Sequence, residues 1–264
     1  MARRKTLLLI TEGTSDANAL VDPLQNLLGK VRVGDFQVRC DVTVARLFAA
    51  DFRRKHDFSP EWNIGRTVDA LVDEYLARES KSRESLGWIA HLTDLDGAYI
   101  PDEAVTQQDG LPRRRYTDTG IASPSRAATL EEMAEKRRCI DLLVDRKTDY
   151  RRASAGRGIR AVPYRLFYMS RNLEHALHGV SRDLGQDEKD DFASDFAEAN
   201  MDAAVFRATL DEAARRHGGM PDWESSWEYA RDRTAFHSLE PGSNLKWIEE
   251  FARSHAAGLI PAKG

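Results

Sequence analysis

Cysteine is scarce in this chain: Cys40 and Cys139 are the only two among 264 residues. Two thiols exclude a disulfide framework and a Cys-rich zinc site, and they fit a reduced, cytoplasmic setting. Long apolar stretches are also missing. No unbroken apolar run exceeds four residues, as in Leu7–Ile10, against the roughly 20 that a membrane helix needs. The basic opening Met1-Ala2-Arg3-Arg4-Lys5 meets Glu12 before an apolar stretch of secretory length develops, so neither a leader nor a membrane partner is expected. Gly-x4-Gly-Lys-Ser/Thr does not occur, which excludes a P-loop ATPase within these residues. Neither Gly-x-Gly-x-x-Gly nor Gly-x-Ser-x-Gly is present.

What remains is a chain with 41% hydrophobic residues, enough for a core and too much for a disordered polymer. Its net charge of −4 hides a segregation. Between Gly110 and Arg171, 15 Lys/Arg face 7 Asp/Glu; between Ser181 and Glu240, 7 face 15. The two segments either neutralise each other across the fold or leave a basic surface for a phosphate backbone.

Hydrophobic periodicity predicts a parallel α/β sheet of about four strands. Lys5–Thr11, Phe36–Val44, Trp88–Leu92 and Val162–Met169 read as strands. Leu20, Leu24, Leu27 and Leu28 follow the first on a helix capped by Ser15, which Pro23 is expected to kink or restart at Asp22. Ile64, Val68, Leu71, Val72, Tyr75 and Leu76 form an amphipathic stripe, and Leu130–Tyr150 reads as helical. Residues 98–128 are polar and Pro-rich, and read as a long basic insertion. Beyond Gly179 only helices are predicted. The expected organisation is an α/β unit over residues 1–180 and a helical region over 181–264, with Trp223, Trp227 and Trp247 as core anchors.

Acids gather at three predicted strand ends: Glu12 and Asp16 after the first, Asp94 and Asp96 after the third, Glu174 after the fourth. Ligands of parallel sheets collect at those ends. Strand alternation would put Asp94 and Asp96 on one side, where two carboxylates repel unless a cation lies between them. Hard oxygen donors suit Mg²⁺ or Mn²⁺. His175 and His178 share a helix face without a third ligand, and His91 reads as a packed histidine.

The acid-Gly pair Glu12-Gly13 after the first strand, with Asp94-Leu95-Asp96 after the third, resembles the Toprim domain of topoisomerases, primases and some nucleases. The likeness covers roughly residues 5–180. It implies that Asp94 and Asp96 hold a divalent ion while Glu12 binds metal or moves protons. Asp16 and Glu174 fall where the stand-alone OLD-type nucleases of that family carry further metal-binding acids, and they would complete a second position. The resemblance implies Mg²⁺- or Mn²⁺-dependent phosphodiester cleavage, in phage defence or RNA processing, with a separate ATPase as partner. The nucleic-acid contacts expected from the basic segment are Arg113, Arg114, Arg115, Arg137, Arg138, Arg151 and Arg152, joined by Arg157 and Arg160, with Tyr116 stacking on a base.

Two other readings stand beside it. Asp94-Leu95-Asp96-Gly97 also resembles the opening motif of haloacid-dehalogenase-type phosphatases, with Asp94 as nucleophile; that reading leaves Glu12-Gly13 unexplained. A non-catalytic Toprim-like binding module is the third.

Overall fold

Leu7, Leu8, Leu9 and Ile10 are all fully buried, and burial on both sides places their strand in the middle of a sheet. The computed structural model describes residues 3–47, 64–117, 119–145, 150–154, 158–180 and 184–254. Among these, β1 (Arg3–Thr11) lies between β3 (Phe36–Val44) and β4 (Leu86–Asp94), parallel to both. The strand β10 (Tyr164–Met169) adds in parallel beyond β4, and the two-residue β2 (Arg32–Val33) runs antiparallel along β3. The described residues thus form an α/β fold on a mixed five-stranded sheet, ordered β10-β4-β1-β3-β2 and flanked by helices.

Period-two alternation sorts the core into two layers. Leu7, Leu9, Trp88, Ala90 and Phe167 face α1 (Thr14–Leu28), α4 (Leu173–His178), α5 (Gln186–Ala199), α6 (Ala203–Arg216) and α8 (Ile248–Ser254). Leu8, Ile10, Ile89 and Leu166 face α2 (Ile64–Arg78), the second half of α3 (Arg126–Val144) and α7 (Trp223–Ala230). The C-terminal helices share the core of the sheet: Phe196, Phe206 and Phe251 belong to the same buried cluster as Leu7 and Leu9. Trp227 is buried, while Trp223 and Trp247 pack against the core from its margin. Residues Gly242–Asn244 cover the open edge of β10. The Asn244 side chain accepts from the Tyr168 N–H at 2.8 Å, and Ser170 N–H donates to the Gly242 carbonyl at 2.9 Å. No helix of the described residues is long and apolar enough to cross a membrane.

Each predicted strand is present, but several local expectations need correction. The first helix starts after Gly13 rather than Ser15 and runs as one element through Pro23. The predicted insertion is not a bare loop. Its strands β5 (Val105–Gln107), β6 (Arg115–Thr117) and β7 (Gly120–Ser123) form a small sheet over Ile100, Val105, Ile121 and Met133. Strands of three or four residues carry too little alternation to be read from sequence. The helix expected to reach Tyr150 stops at Val144; Tyr150 opens β8 (Tyr150–Ser154), which pairs with β9 (Gly158–Val162). Pro163, without an N–H for the ladder, separates Val162 from the fourth main strand.

A shared core predicts a single cooperative unfolding unit. Phe206→Ala, at a fully buried position in α6, should cost about 3–5 kcal/mol and shift one transition in a denaturant melt followed by tryptophan fluorescence. Two separable transitions would mean that the C-terminal helices fold on their own.

Candidate active site

The chain passes from β1 to β3 on one side and later returns to β4 on the other, so strand order reverses between β1 and β4. A crevice opens at the carboxyl ends of parallel strands wherever that happens. Glu12 ties the two ends together. Its Oε1 accepts the Thr93 hydroxyl at 2.5 Å and the Asp94 N–H at 3.1 Å.

Asp16 sits in the first turn of α1, and its carboxylate accepts the Gly13 N–H at 3.1 Å, where the helix dipole favours negative charge. Even so its pKa is pushed up to about 7, first by burial, then by the neighbouring charges of Glu174 and Glu12, with Lys189 countering weakly. Asp94 is raised well above the usual carboxylate range by burial, then by Asp16, Glu12 and Asp96. Glu174 is 4% exposed, in the first turn of the short α4 that Asn172 caps through the His175 N–H. The five predicted acids are therefore electrostatic neighbours.

Asp96 differs from the others. The strand ends at Asp94, and Asp96 has φ of +51°, followed by Gly97 at +72°. Strand alternation therefore does not set its direction, although Asp96 stays close enough to raise the pKa of Asp94. This left-handed turn delivers Asp96 to two donors: Tyr116 Oη at 2.8 Å on Oδ1 and Lys136 Nζ at 2.7 Å on Oδ2. Burial opposes its ionisation, but the Lys136 charge and hydrogen bond, then Arg114 and Tyr116, hold its pKa below the usual range. Lys136 also lies 3.8 Å from Glu12 Oε1, and despite burial it is kept firmly protonated by Asp96, Glu12 and Asp94.

The acids thus divide. Asp96 is neutralised by the protein's own cation, whereas Asp16 and Asp94 are crowded and under-compensated. Sequence reasoning missed Lys136, Thr93 and Arg171. A signal for Lys136 existed: Thr129, Met133, Ile140 and Leu143 are the buried stripe of α3, and Lys136 occupies the i+3 position of that stripe after Met133.

The expected nucleic-acid contacts scatter. Tyr116 is not an open stacking platform, because its hydroxyl is engaged by Asp96 and the Arg171 guanidinium covers its ring at 3.9 Å. Arg114 pairs with Glu132 at 3.3 Å, and Arg137 donates to the Ala98 carbonyl at 2.8 Å. Arg113, Arg115 and Arg138 are exposed. The side chains of Arg151, Arg152 and Arg160, and residue Arg157 altogether, lie outside the described residues, as does the His178 side chain. His175 is buried and neutral, its pKa lowered to about 4 by burial and then by Arg171 and Arg216. His91 is packed, with Nδ1 2.8 Å from the Tyr164 hydroxyl.

Among the described residues no three His, Cys, Asp or Glu side chains are already gathered tightly enough to hold a metal ion. The donor chemistry nevertheless fits a hard divalent cation: the acids offer carboxylate oxygens, and burial, then the neighbouring acids, oppose the ionisation of Asp16 and Asp94. Asp16, Asp94 and Glu174 are the candidate ligands, with Asp96 already engaged. No family model matches the chain, and neither a curated protein nor a solved structure matches it.

The crowding has a measurable consequence. Asp16 keeps its proton in the folded state up to about pH 7 and loses it near pH 4 when unfolded, so metal-free protein loses stability as pH rises across that window. Asp16→Asn should therefore melt higher than the parent at pH 8 in EDTA and show no such gain at pH 4. Equal melting temperatures at both pH values would refute the crowding.

Proposed function

We propose that this chain is a metal-dependent nuclease that hydrolyses nucleic-acid phosphodiester bonds at the crevice between β1 and β4, as the Toprim-like arrangement of its acids implies. The observation that carries the reading is the convergence of Glu12, Asp16, Asp94 and Glu174 at that crevice, where Lys189 and Lys136 only partly offset the burial and mutual repulsion of Asp16 and Asp94. A bound Mg²⁺ or Mn²⁺ supplies Lewis-acid polarisation of the scissile phosphate and activation of the attacking water.

The chain's own residues do the rest. Asp16, Asp94 and Glu174 are the residues that would hold the ion. Glu12, aligned by the Thr93 hydroxyl and the Asp94 N–H through Oε1, keeps Oε2 to receive a proton from the attacking water. Lys136, locked in its charged form, faces the negative charge that builds on the phosphoryl oxygens in the transition state. Tyr116 and Asp96 hold the Lys136 ammonium in place and act through it. The phosphatase alternative requires an ionised nucleophile at Asp94, a carboxyl whose ionisation is opposed by burial and then by Asp16, Glu12 and Asp96. A separate ATPase as partner is what the Toprim-like resemblance implies, and the lack of a P-loop within these residues leaves room for it.

Labelled tRNA, single-stranded DNA and plasmid, incubated in Mg²⁺, Mn²⁺ or EDTA, test the activity. Asp94→Asn should lower metal-dependent cleavage at least 100-fold, and a Lys136→Met change should lower kcat by about 10²–10³ with little effect on KM. Cleavage that persists in Asp94→Asn places the chemistry elsewhere. Metal-free protein that takes up neither Mg²⁺ nor Mn²⁺ by calorimetry removes the nuclease reading and leaves a binding module.

A further inference from the structure

One residue along α3 from Lys136, Arg137 turns to a different neighbourhood. Its guanidinium lies 3.6 Å from Asp102 as well as on the Ala98 carbonyl. With Arg138, Arg231, Arg233, Tyr99, Asp141 and Leu142 it lines a wide, open cavity of about 500 Å³. Two segments far apart in sequence, α3 and the turn after α7, supply these four arginines.

Their charge is not balanced. Asp102 Oδ1 serves two guanidiniums at once, Arg233 at 2.6 Å and Arg137 at 3.6 Å. Arg231 pairs with Asp141 at 3.0 Å and Asp145 at 3.5 Å, and Asp141 also accepts the Tyr99 hydroxyl at 2.7 Å. Arg138 is exposed and makes no ion pair among the described residues. Among the described residues four cations therefore meet three carboxylates, and planar guanidinium forks offer N–H donors suited to two oxygens of one anion. Burial and the nearby Arg233 both act against the charge on Arg137, a strain that an anion in the cavity relieves. The volume is that of a small-ligand site and exceeds what a bare ion fills. Leu142, 52% exposed at the rim, offers apolar surface to a sugar or base.

We propose that this cavity seats a phosphate group, anchoring a backbone phosphate of the nucleic acid at a point distinct from the cleaved bond. The anion site stands on its own charge balance; the backbone as source of the phosphate rests on the nuclease reading. A free nucleotide carries the same chemistry, and the test separates the two.

The full-length protein in EDTA is titrated with fluorescein-labelled oligothymidylate and oligouridylate over a salt series, read by anisotropy, and with AMP and pyrophosphate by calorimetry. Arg138→Glu, at an exposed position without an ion pair among the described residues, is expected to fold as the parent by circular dichroism. It should weaken oligonucleotide binding about tenfold and lower the salt slope by about one. Arg231→Ala with Arg233→Ala should do the same, and Asp94→Asn should not. If only AMP or pyrophosphate binds, and Arg138→Glu weakens it, the site stands with a free phosphate ligand. If the parent binds no probe, or both arginine variants bind as the parent does, the proposal is overturned. Failure of the nuclease reading looks different: arginine-dependent binding persists while cleavage is absent or insensitive to Asp94→Asn.

Discussion

Carboxylates drawn together at the ends of buried strands repel one another, and the surroundings of this site are arranged around that repulsion. The sheet leaves no choice about the crowding. Parallel strands β1 and β4 are hydrogen-bonded neighbours, so Glu12 and Asp94, which follow from them, must meet. The N-terminus of α1 brings Asp16 and the first turn of α4 brings Glu174. One acid of the group, Asp96, is released from the strand by a left-handed turn and handed to Lys136 and Tyr116. Among the others, burial and mutual repulsion hold the pKa values of Asp16 and Asp94 up.

The cation that the protein does supply comes from outside the main sheet. Lys136 and Tyr116 stand on α3 and β6, elements that follow β4 and are held by a separate small core of Ile100, Val105, Ile121 and Met133. That satellite is built at close quarters: a Cβ on Gly120, where φ is +149°, would sit 2.0 Å from the Ala104 carbonyl oxygen. The apolar contacts of a few short strands thus set the position of an ammonium group beside two of the five acids. Arg171, at the end of the main sheet, stacks on the Tyr116 ring and joins the satellite to β10.

The basic segment illustrates how charge balance and charge destination differ. Much of its excess turns inward. Lys136 neutralises Asp96, Arg114 pairs with Glu132, Arg126 donates to the Val105 and Asp102 carbonyls, and Arg165 lies over Trp223 and Phe251. Arg113, Arg115 and Arg138 stay exposed, and Arg137 and Arg138 are joined around one cavity by Arg231 and Arg233 from the segment that composition marks as acidic.

The sequence by itself determined the order of the main strands and helices and the group of acids at the strand ends. Runs such as Leu7–Ile10 and the Ile64–Leu76 stripe bury whole faces, and that demand is local and periodic. Strand ends are equally local, so Glu12, Asp94 and Glu174 were legible as neighbours of a common edge. Only the tertiary structure decided which acid is compensated and which is not. That outcome depends on a turn dihedral at Asp96, a lysine reaching across 40 residues, and a tyrosine on a strand too short to show a period. It also decided that Tyr116 faces inward and that arginines from α3 and the turn after α7 share one cavity. Electrostatic partnership is set by distance in space, and residues far apart in the chain carry no periodic trace of it.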